Sequence, residues 1–293
     1  MFMCKTVIIV AAVCAVSAAA PARAQDEGKV LENLNIFVGP DGSKQPQDLG
    51  INANMGIRFA GNAGFSIAPS LNLGMQVGVA CNLSDAAVHV LDQIEGTSSR
   101  NQLYFTVGVF NRTGHRFNWG LAYDTLLEHY YDDFHLAQVR GQIGVDVTGD
   151  NEVGVWFTKS MKGENGVMGG TPVRLDPISQ ANAFYRHTWA NHAQTAAWLG
   201  VAAGHDDVVW VLPANPRDRH VLVYGAELRM PLSERFAITG AANFLTPTAT
   251  GTVDAFLGVA FYPGRSAMRQ DRNAYAPIAD VANNPTFSVN LHR

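Results

Sequence analysis

The sequence predicts an all-β protein, an antiparallel up-and-down β-barrel of about twelve strands. Three observations support this class. Apolar and polar residues alternate with a period of two along most of the chain. The segments between these alternating stretches are short and long in turn. The chain also contains 28 glycines among 293 residues, and many of them fall within the alternating stretches, on the phase that carries the polar side chains.

The N-terminal residues predict a secretory signal that is not part of the fold. Lys5 precedes an apolar run, and Ala22-Arg23-Ala24 has the small-x-small form of a cleavage site. We therefore divide the chain into a signal at 1–24, a β-barrel domain at 25–265 and a C-terminal tail at 266–293. No later apolar run has the roughly 20 residues that a membrane helix needs.

Composition and motifs exclude several functional classes. A net charge of −4 makes the chain a poor nucleic-acid binder. Cys81 is the only cysteine beyond the predicted signal, which excludes a cysteine-based zinc site. The sequence has no phosphate loop, HExxH or CxxC motif, and GFSIA at 64–68 lacks the last glycine of a nucleophile elbow. We therefore predict no cofactor and no catalytic residue.

Twelve alternating stretches predict the strands. The clearest is GQIGVDVTGDNEVGVWF, residues 141–157, in which Thr148-Gly149-Asp150-Asn151 supplies the turn of a hairpin. The twelve predicted strands lie near Leu31–Val38, Ile51–Ala60, Phe65–Leu83, Gln102–Asn111, Phe117–Asp124, Leu136–Val147, Glu152–Lys159, Gln180–His187, Thr195–Ala203, His220–Met230, Arg235–Leu245 and Thr252–Tyr262.

The lengths of the connections indicate how these strands are arranged. Outer-membrane barrels have short periplasmic turns and longer outer loops, whereas a Greek-key sandwich shows no regular alternation of loop length. Ser84 and Asp85, in one long connection, are also predicted to begin a short helix that continues to Glu95. The predicted short connections are 61–64, 112–116, 148–151, 189–194 and 231–234, the long ones are 39–50, 83–101, 125–135, 160–179 and 204–219, and 246–251 is intermediate.

The polar phase is predicted to face the barrel interior, and the phase that contains Val145 and Val155 is predicted to face lipid. In an open pore the interior charges would set ion selectivity, so that neutralising Arg140 would tilt conduction toward cations. In a narrower barrel they would pair across the lumen and plug it. The candidate lumen-facing residues are Arg58, Arg140, Gln142, Asp146, Glu227, Arg229 and Asp254.

The densest polar cluster is DTLLEHYYDDFH, residues 124–135, in a predicted long loop. Carboxylate and imidazole groups suit a hard or borderline cation, which makes five residues candidate metal ligands. The alternatives are a solvated acidic loop, or a surface where Tyr130, Tyr131 and Phe134 contact sugars or a partner. The candidate ligands are Glu128, His129, Asp132, Asp133 and His135, with His205, Asp206 and Asp207 predicted on the same rim.

Several stretches also carry a family resemblance: VGPDGSKQPQDLGINAN, GGTPVRL, NAFYRHTW, ANFLTPTATGTVDAFLGVAFYPG and VANNPTF. Through them the chain resembles an uncharacterised family of exported proteins from planctomycete bacteria, over most of its length after the predicted signal. The resemblance implies a bacterial, exported protein and no particular activity. One departure from outer-membrane barrels in general is that about thirty residues follow the last predicted strand.

The sequence therefore favours an outer-membrane β-barrel with a pore, transport or structural role and no catalytic activity. Its expected partners are outer-membrane lipid and small polar solutes, and nucleic acid is not expected. Two alternatives stay open. One is an exported soluble β-rich binding protein, periplasmic or extracellular, and the other is a barrel-embedded lipid hydrolase that uses a Ser/His pair at the rim.

Overall fold

Twelve strands form a closed antiparallel barrel in the computed structural model, which describes residues 31–48, 52–86, 99–112, 116–203, 220–246, 252–270 and 273–292. Neighbours in the barrel follow chain order, and the first barrel strand pairs with the last to close it. The predicted fold class is confirmed. Numbering strands in chain order, the barrel consists of β1 (Leu34–Lys44), β2 (Asn54–Ala68), β3 (Leu73–Ala86), β4 (Arg100–Arg112), β5 (Phe117–His129), β6 (Asp133–Thr148), β7 (Asn151–Lys162), β10 (Gln180–Thr188), β11 (Gln194–Ala203), β12 (His220–Pro231), β13 (Phe236–Thr246) and β14 (Thr252–Phe261).

The two phases of each strand face opposite sides of the barrel wall, as the period of two requires. Val145 and Val155 point outward and are 41% and 50% exposed. Thr106 points inward and is 1% exposed. The outer face is therefore apolar and uncovered, and the polar residues line the lumen.

The connections between strands divide into two rims. One, the short-turn rim, carries the turns at 69–72, 149–150, 189–193 and 232–235, the end of β4, the start of β1 and the end of β14. The opposite, long-loop rim carries the other connections. One of these is short, because β5 and β6 extend to His129 and Asp133 and leave only residues 130–132 between them. The predicted loop at 125–135 is therefore wrong.

The first predicted turn, at 61–64, is also wrong, because β2 continues through it to Ala68. The turn lies at 69–72, where Pro69 interrupts the ladder and Asn72 adopts a left-handed conformation with φ of 51°.

The small residues at 61–64 serve another purpose. A Cβ on Gly64 would lie 2.1 Å from the carbonyl oxygen of Tyr275, so the inner wall is thin here to let another segment pass.

Two further boundaries differ from the sequence prediction. β1 extends to Lys44 through Gly39 and Pro40, which do not pair with β14, although the register is the same on both sides of them. Proline has no N–H to donate to the ladder. Ser84 and Asp85 lie in β3 and do not begin a helix. Residues 87–98, the rest of the predicted helix, and residues 1–30, with the predicted signal, lie outside the described residues.

A second sheet, of three strands, stands beside the long-loop rim. β8 (Glu164–Met168) and β9 (Thr171–Pro177) form a hairpin within the predicted loop 160–179, and its turn contains Gly169 and Gly170 with φ of 55° and 77°. β15 (Val289–His292) comes from the C-terminal end of the chain and pairs antiparallel with β9. Among the described residues, no helix has the length and apolar character needed to cross a membrane.

Candidate functional site

The residues after β14 pass through the barrel. We call residues 266–292 the luminal segment; its residues 271 and 272 lie outside the described residues. It starts at the short-turn rim, where the Ala267 amide donates to the Glu234 carbonyl at 3.0 Å. It ends at the long-loop rim, where β15 joins the second sheet. The predicted C-terminal tail therefore crosses the lumen from one rim to the other.

Polar side chains of the barrel wall bind the backbone of the luminal segment. Arg58 donates to the carbonyl oxygens of Val281 and Ala282 at 3.2 and 3.0 Å. The Ala282 amide donates to the Thr106 hydroxyl at 2.9 Å. Arg140 donates to the Asp280 carbonyl oxygen at 2.7 Å. These wall residues satisfy backbone groups that have no strand partner inside the lumen.

The Asn284 side chain makes three hydrogen bonds to the barrel wall. Its side-chain oxygen accepts hydrogen bonds from Gln102 at 3.0 Å and from the Tyr104 hydroxyl at 2.8 Å. Its side-chain nitrogen donates to Asp41 at 2.7 Å. The preceding Asn283 caps a short 3-10 turn, accepting from the Thr286 amide at 3.1 Å. The turn and its side chain thus lock the segment to β1 and β4.

Apolar side chains of the segment complete a core inside the upper half of the barrel, next to the long-loop rim. Phe287, Val289 and Leu291 are fully buried, and the Phe287 ring packs edge-on against Tyr104 with centroids 5.9 Å apart. They belong to one cluster with residues of β4, β5, β6, β8 and β9. Burying a side chain of this size contributes about 1.5–3 kcal/mol, so three of them hold the segment firmly.

Two inward-facing glycines make room for the segment. A Cβ on Gly78 would lie 2.3 Å from a methyl group of Val281. A Cβ on Gly120 would lie 2.5 Å from a methyl group of Ile278. The glycines on the polar phase of these strands therefore fit the barrel wall to its own C-terminal residues.

Charged residues fill the lumen near the long-loop rim. Arg100 is fully buried, forms an ion pair with Glu128 and lies 3.9 Å from Asp48. Burial raises the pKa of the Asp48 carboxyl, and the Arg100 guanidinium opposes that rise. Sequence reasoning missed Arg100 because it was assigned to a loop. The signal was present, since Arg100 extends the polar phase of Gln102 by one step.

The structure places all seven predicted lumen residues on the inner face of the barrel. Arg58, Arg140 and Arg229 bind carbonyl groups of the luminal segment. Asp254 accepts hydrogen bonds from Ser43 and Gln45 at 2.7 and 3.1 Å. The other three, Gln142, Asp146 and Glu227, lie in the half of the barrel next to the short-turn rim.

The structure separates the five candidate metal ligands. Glu128 points into the lumen toward Arg100, whereas His129 and Asp133 form an exposed pair outside it at 2.7 Å. Asp132 accepts from the Val167 amide at 2.8 Å, and the His135 amide donates to Glu164. Among the described residues, no three His, Cys, Asp or Glu side chains are grouped to hold a metal ion. Residues 205–207 lie outside the described residues.

The aromatic residues of the same stretch do not form the predicted contact surface for sugars or a partner. Tyr130 and Phe134 are 3% and 2% exposed and belong to the core cluster, with Tyr131 packed against them. Their rings pack in the core around the end of the luminal segment next to the long-loop rim and do not face solvent.

A cavity of about 150 Å³ remains between the luminal segment and the wall, lined mainly by β4–β7 and β10–β13. We call it the vestibule. Its lining reaches the short-turn rim at Arg112 and Gln194 and includes Trp156, Trp198 and Glu227. Toward the long-loop rim it ends at an apolar cluster that contains Ile178, Phe184, Trp198, Ala202, Val221, Val223 and Leu245. The vestibule therefore extends inward from the short-turn rim, and the apolar cluster closes it toward the long-loop rim.

Replacing Asn284 by leucine is expected to loosen the luminal segment. The Asn284→Leu variant removes the hydrogen bonds of the buried Tyr104 hydroxyl and the Asp41 carboxylate to Asn284, and leaves the side-chain nitrogen of Gln102 with Glu128 alone. Each buried group left without a partner costs about 1–3 kcal/mol. The measurement is the free energy of unfolding in detergent by urea titration. Asn165→Leu, which removes only an exposed 3.4 Å contact with Arg174, is the matched control. Equal stability of the two variants would contradict the role given to Asn284.

Several solved structures are similar to the chain. A solved structure from a study of in-meso crystallization of membrane proteins has a TM-score of 0.53 at 8% identity, over 88% of this chain and 100% of that one. The translocator domain of the autotransporter NalP from Neisseria meningitidis has 16% identity and a TM-score of 0.43 over 86% of this chain and 99% of that one. The KdgM porin has 11% identity and a TM-score of 0.39 over 77% and 98%.

These likenesses concern the fold alone. The comparison with curated proteins found no match. The resemblance to an uncharacterised family is supported by a family model, while a planctomycete origin stays a prediction. That model describes a family of unknown function (DUF6666) and matches residues 33–289, so the chain belongs to this family.

Proposed function

We propose that the protein is an outer-membrane barrel with a structural role, whose lumen is closed at rest by its own luminal segment. The observation that carries this proposal is the set of hydrogen bonds from wall side chains, Arg58, Thr106 and Arg140 among them, to the backbone of that segment. In this function the barrel anchors the sheet of β8, β9 and β15 at the outer, long-loop rim.

The outer surface supports a lipid environment. Large apolar side chains such as Leu199, Val201 and Leu257 are 58%, 52% and 54% exposed around the barrel wall. A soluble protein rarely exposes a continuous apolar surface of this extent. This observation favours the membrane barrel over the exported soluble binding protein.

The packing of the lumen supports a closed barrel over an open pore. Arg58 and Arg140, two of the residues predicted to set ion selectivity, are 2% and 6% exposed and hold the luminal segment. The core around Phe287 and the apolar cluster at Ile178 fill both sides of the lumen below the long-loop rim. Nothing in the part of the chain that the structure describes favours a barrel-embedded lipid hydrolase.

A charge on the outer face is expected to be costly at mid-barrel and harmless at the rim. Leu199 lies in the middle of β11 and Leu232 lies in a short turn, and they are 58% and 56% exposed. In a bilayer Leu199→Arg costs about 2–4 kcal/mol, whereas Leu232→Arg costs close to nothing. The free energy of unfolding in lipid vesicles measures both. Equal tolerance of the two substitutions would mean that water surrounds the barrel.

Displacing the luminal segment is expected to open the barrel. Wild-type protein in a planar bilayer should show no steady conductance, whereas deletion of residues 266–293 should produce it. Gly120→Leu, which forces a side chain against Ile278, should produce open events with the chain intact. Gly61→Leu, at a glycine with open space beside it, is the matched control and should stay silent.

Steady wild-type conductance equal to that of the deletion variant would refute the closed barrel and favour the open pore. The Arg140→Gln substitution then becomes informative, because only an open lumen allows the charge of Arg140 to influence the reversal potential.

A further inference from the structure

The vestibule is accessible to solvent although it lies inside the barrel. Asp280, in the luminal segment, lines it and is exposed, while its neighbours Val281 and Ala282 are buried. A cavity of about 150 Å³ is large enough to hold a six-membered ring. Because the lining reaches the short-turn rim, small molecules can enter from that side.

The arginines that line the vestibule are already engaged. Arg186 forms an ion pair with Glu152 at 2.6 Å. Arg140 donates to Asp124 at 3.2 Å as well as to the luminal segment. Arg229 donates to the carbonyl oxygens of Ala267 and His192 at 2.6 and 3.1 Å. Arg112 likewise donates to a carbonyl oxygen, that of Gln270, at 3.3 Å. A ligand therefore finds few free cationic donors here.

The free polar groups of the vestibule are mostly acceptors. The carboxylates of Glu227 and Asp280 line the cavity and are attracted by the guanidinium groups of Arg186 and Arg229, but neither accepts a hydrogen bond from another described residue. The side-chain nitrogen of Gln142 is buried and lacks a partner among the described residues. Two acceptors and one donor around one cavity match the hydroxyl groups of a polyol, which both donate and accept hydrogen bonds.

Aromatic rings form the wall opposite the luminal segment. Trp156 and Trp198 pack edge-to-face with centroids 5.8 Å apart, and Phe184 lines the same wall. The indole nitrogen of Trp198 is occupied by a 2.9 Å hydrogen bond to Asn243, so the ring presents an apolar surface. Apolar rings beside a few placed polar groups are typical of small-molecule sites.

We propose that the vestibule binds a small neutral hydroxylated ring, a monosaccharide, through hydrogen bonds to Glu227, Asp280 and Gln142. The inference rests on the proposed function because the luminal segment supplies Asp280 and one side of the site. A neutral ligand is favoured because two of the four lining arginines, Arg140 and Arg186, are paired with Asp124 and Glu152. The other two, Arg112 and Arg229, are matched in number by the two lining carboxylates, Glu227 and Asp280. An added charge of either sign would disturb that balance.

The test is calorimetric titration of the full-length protein in detergent with three sugars that share one ring. Glucose is neutral, glucuronate is anionic and glucosamine is cationic. We expect saturable binding of glucose, and weaker binding of glucuronate because the free groups are carboxylates. Glu227→Gln should weaken glucose binding at least about tenfold, because a hydrogen bond to a charged carboxylate becomes one to a neutral amide. Asp133→Asn, on the exposed far rim, is the control and should leave glucose binding unchanged.

Absence of glucose binding, or binding that Glu227→Gln leaves intact, would overturn the inference. Tighter binding of glucosamine than of glucose would overturn it as well, because the ligand would then be an amine. The conductance of the same wild-type preparation separates the two proposals. A silent barrel that binds no sugar refutes only the vestibule site, whereas a conducting barrel refutes the closed lumen.

Discussion

A segment inside a β-barrel cannot leave its backbone amides and carbonyls unpaired, and this constraint governs the structure. The wall strands use their own backbone groups for the barrel ladder, so the lumen must supply side chains. Arg58, Thr106 and Arg140 provide them in the middle of the luminal segment. The polar phase that looks like the lining of a pore is thus largely a set of hydrogen-bond partners for one internal segment.

The same constraint explains the division of the lumen. Toward the long-loop rim, the segment contributes Phe287, Val289 and Leu291 to a core as tightly buried as that of a soluble protein. Toward the short-turn rim, it lies along one wall and leaves the vestibule beside the other. Closure and a solvent-accessible cavity therefore coexist in one barrel.

Most of the barrel follows from the sequence because one physical pattern repeats. The period of two predicts the existence of all twelve barrel strands and the outward direction of Val145 and Val155. The strand ends are less predictable. Gly64 lies in a stretch of small residues that is typical of a turn, but the structure places it in a strand. A glycine is needed there because a larger side chain would collide with the backbone of Tyr275. This reason depends on a residue more than two hundred positions away.

The candidate site shows a similar limit. The alternating phase places Arg58 and Asp254 in the lumen without knowledge of their partners. It gives no sign that residues 266–292 fill that lumen, because the segment has no strand period until β15 and forms its contacts one by one. Proximity in sequence also misled the metal hypothesis, since Glu128 and His129 are neighbours in a strand and therefore face opposite sides of the wall.

Hydrogen–deuterium exchange of the folded protein tests the central claim most directly. The amides of Ala282 and Val289 donate to Thr106 and Gln45, at 2.9 and 3.0 Å, only if the segment occupies the lumen. The account predicts that peptides within residues 279–291 exchange on the order of a hundredfold more slowly than the same isolated peptide. Exchange as fast as that of the isolated peptide, in a barrel whose strands stay protected, would contradict it.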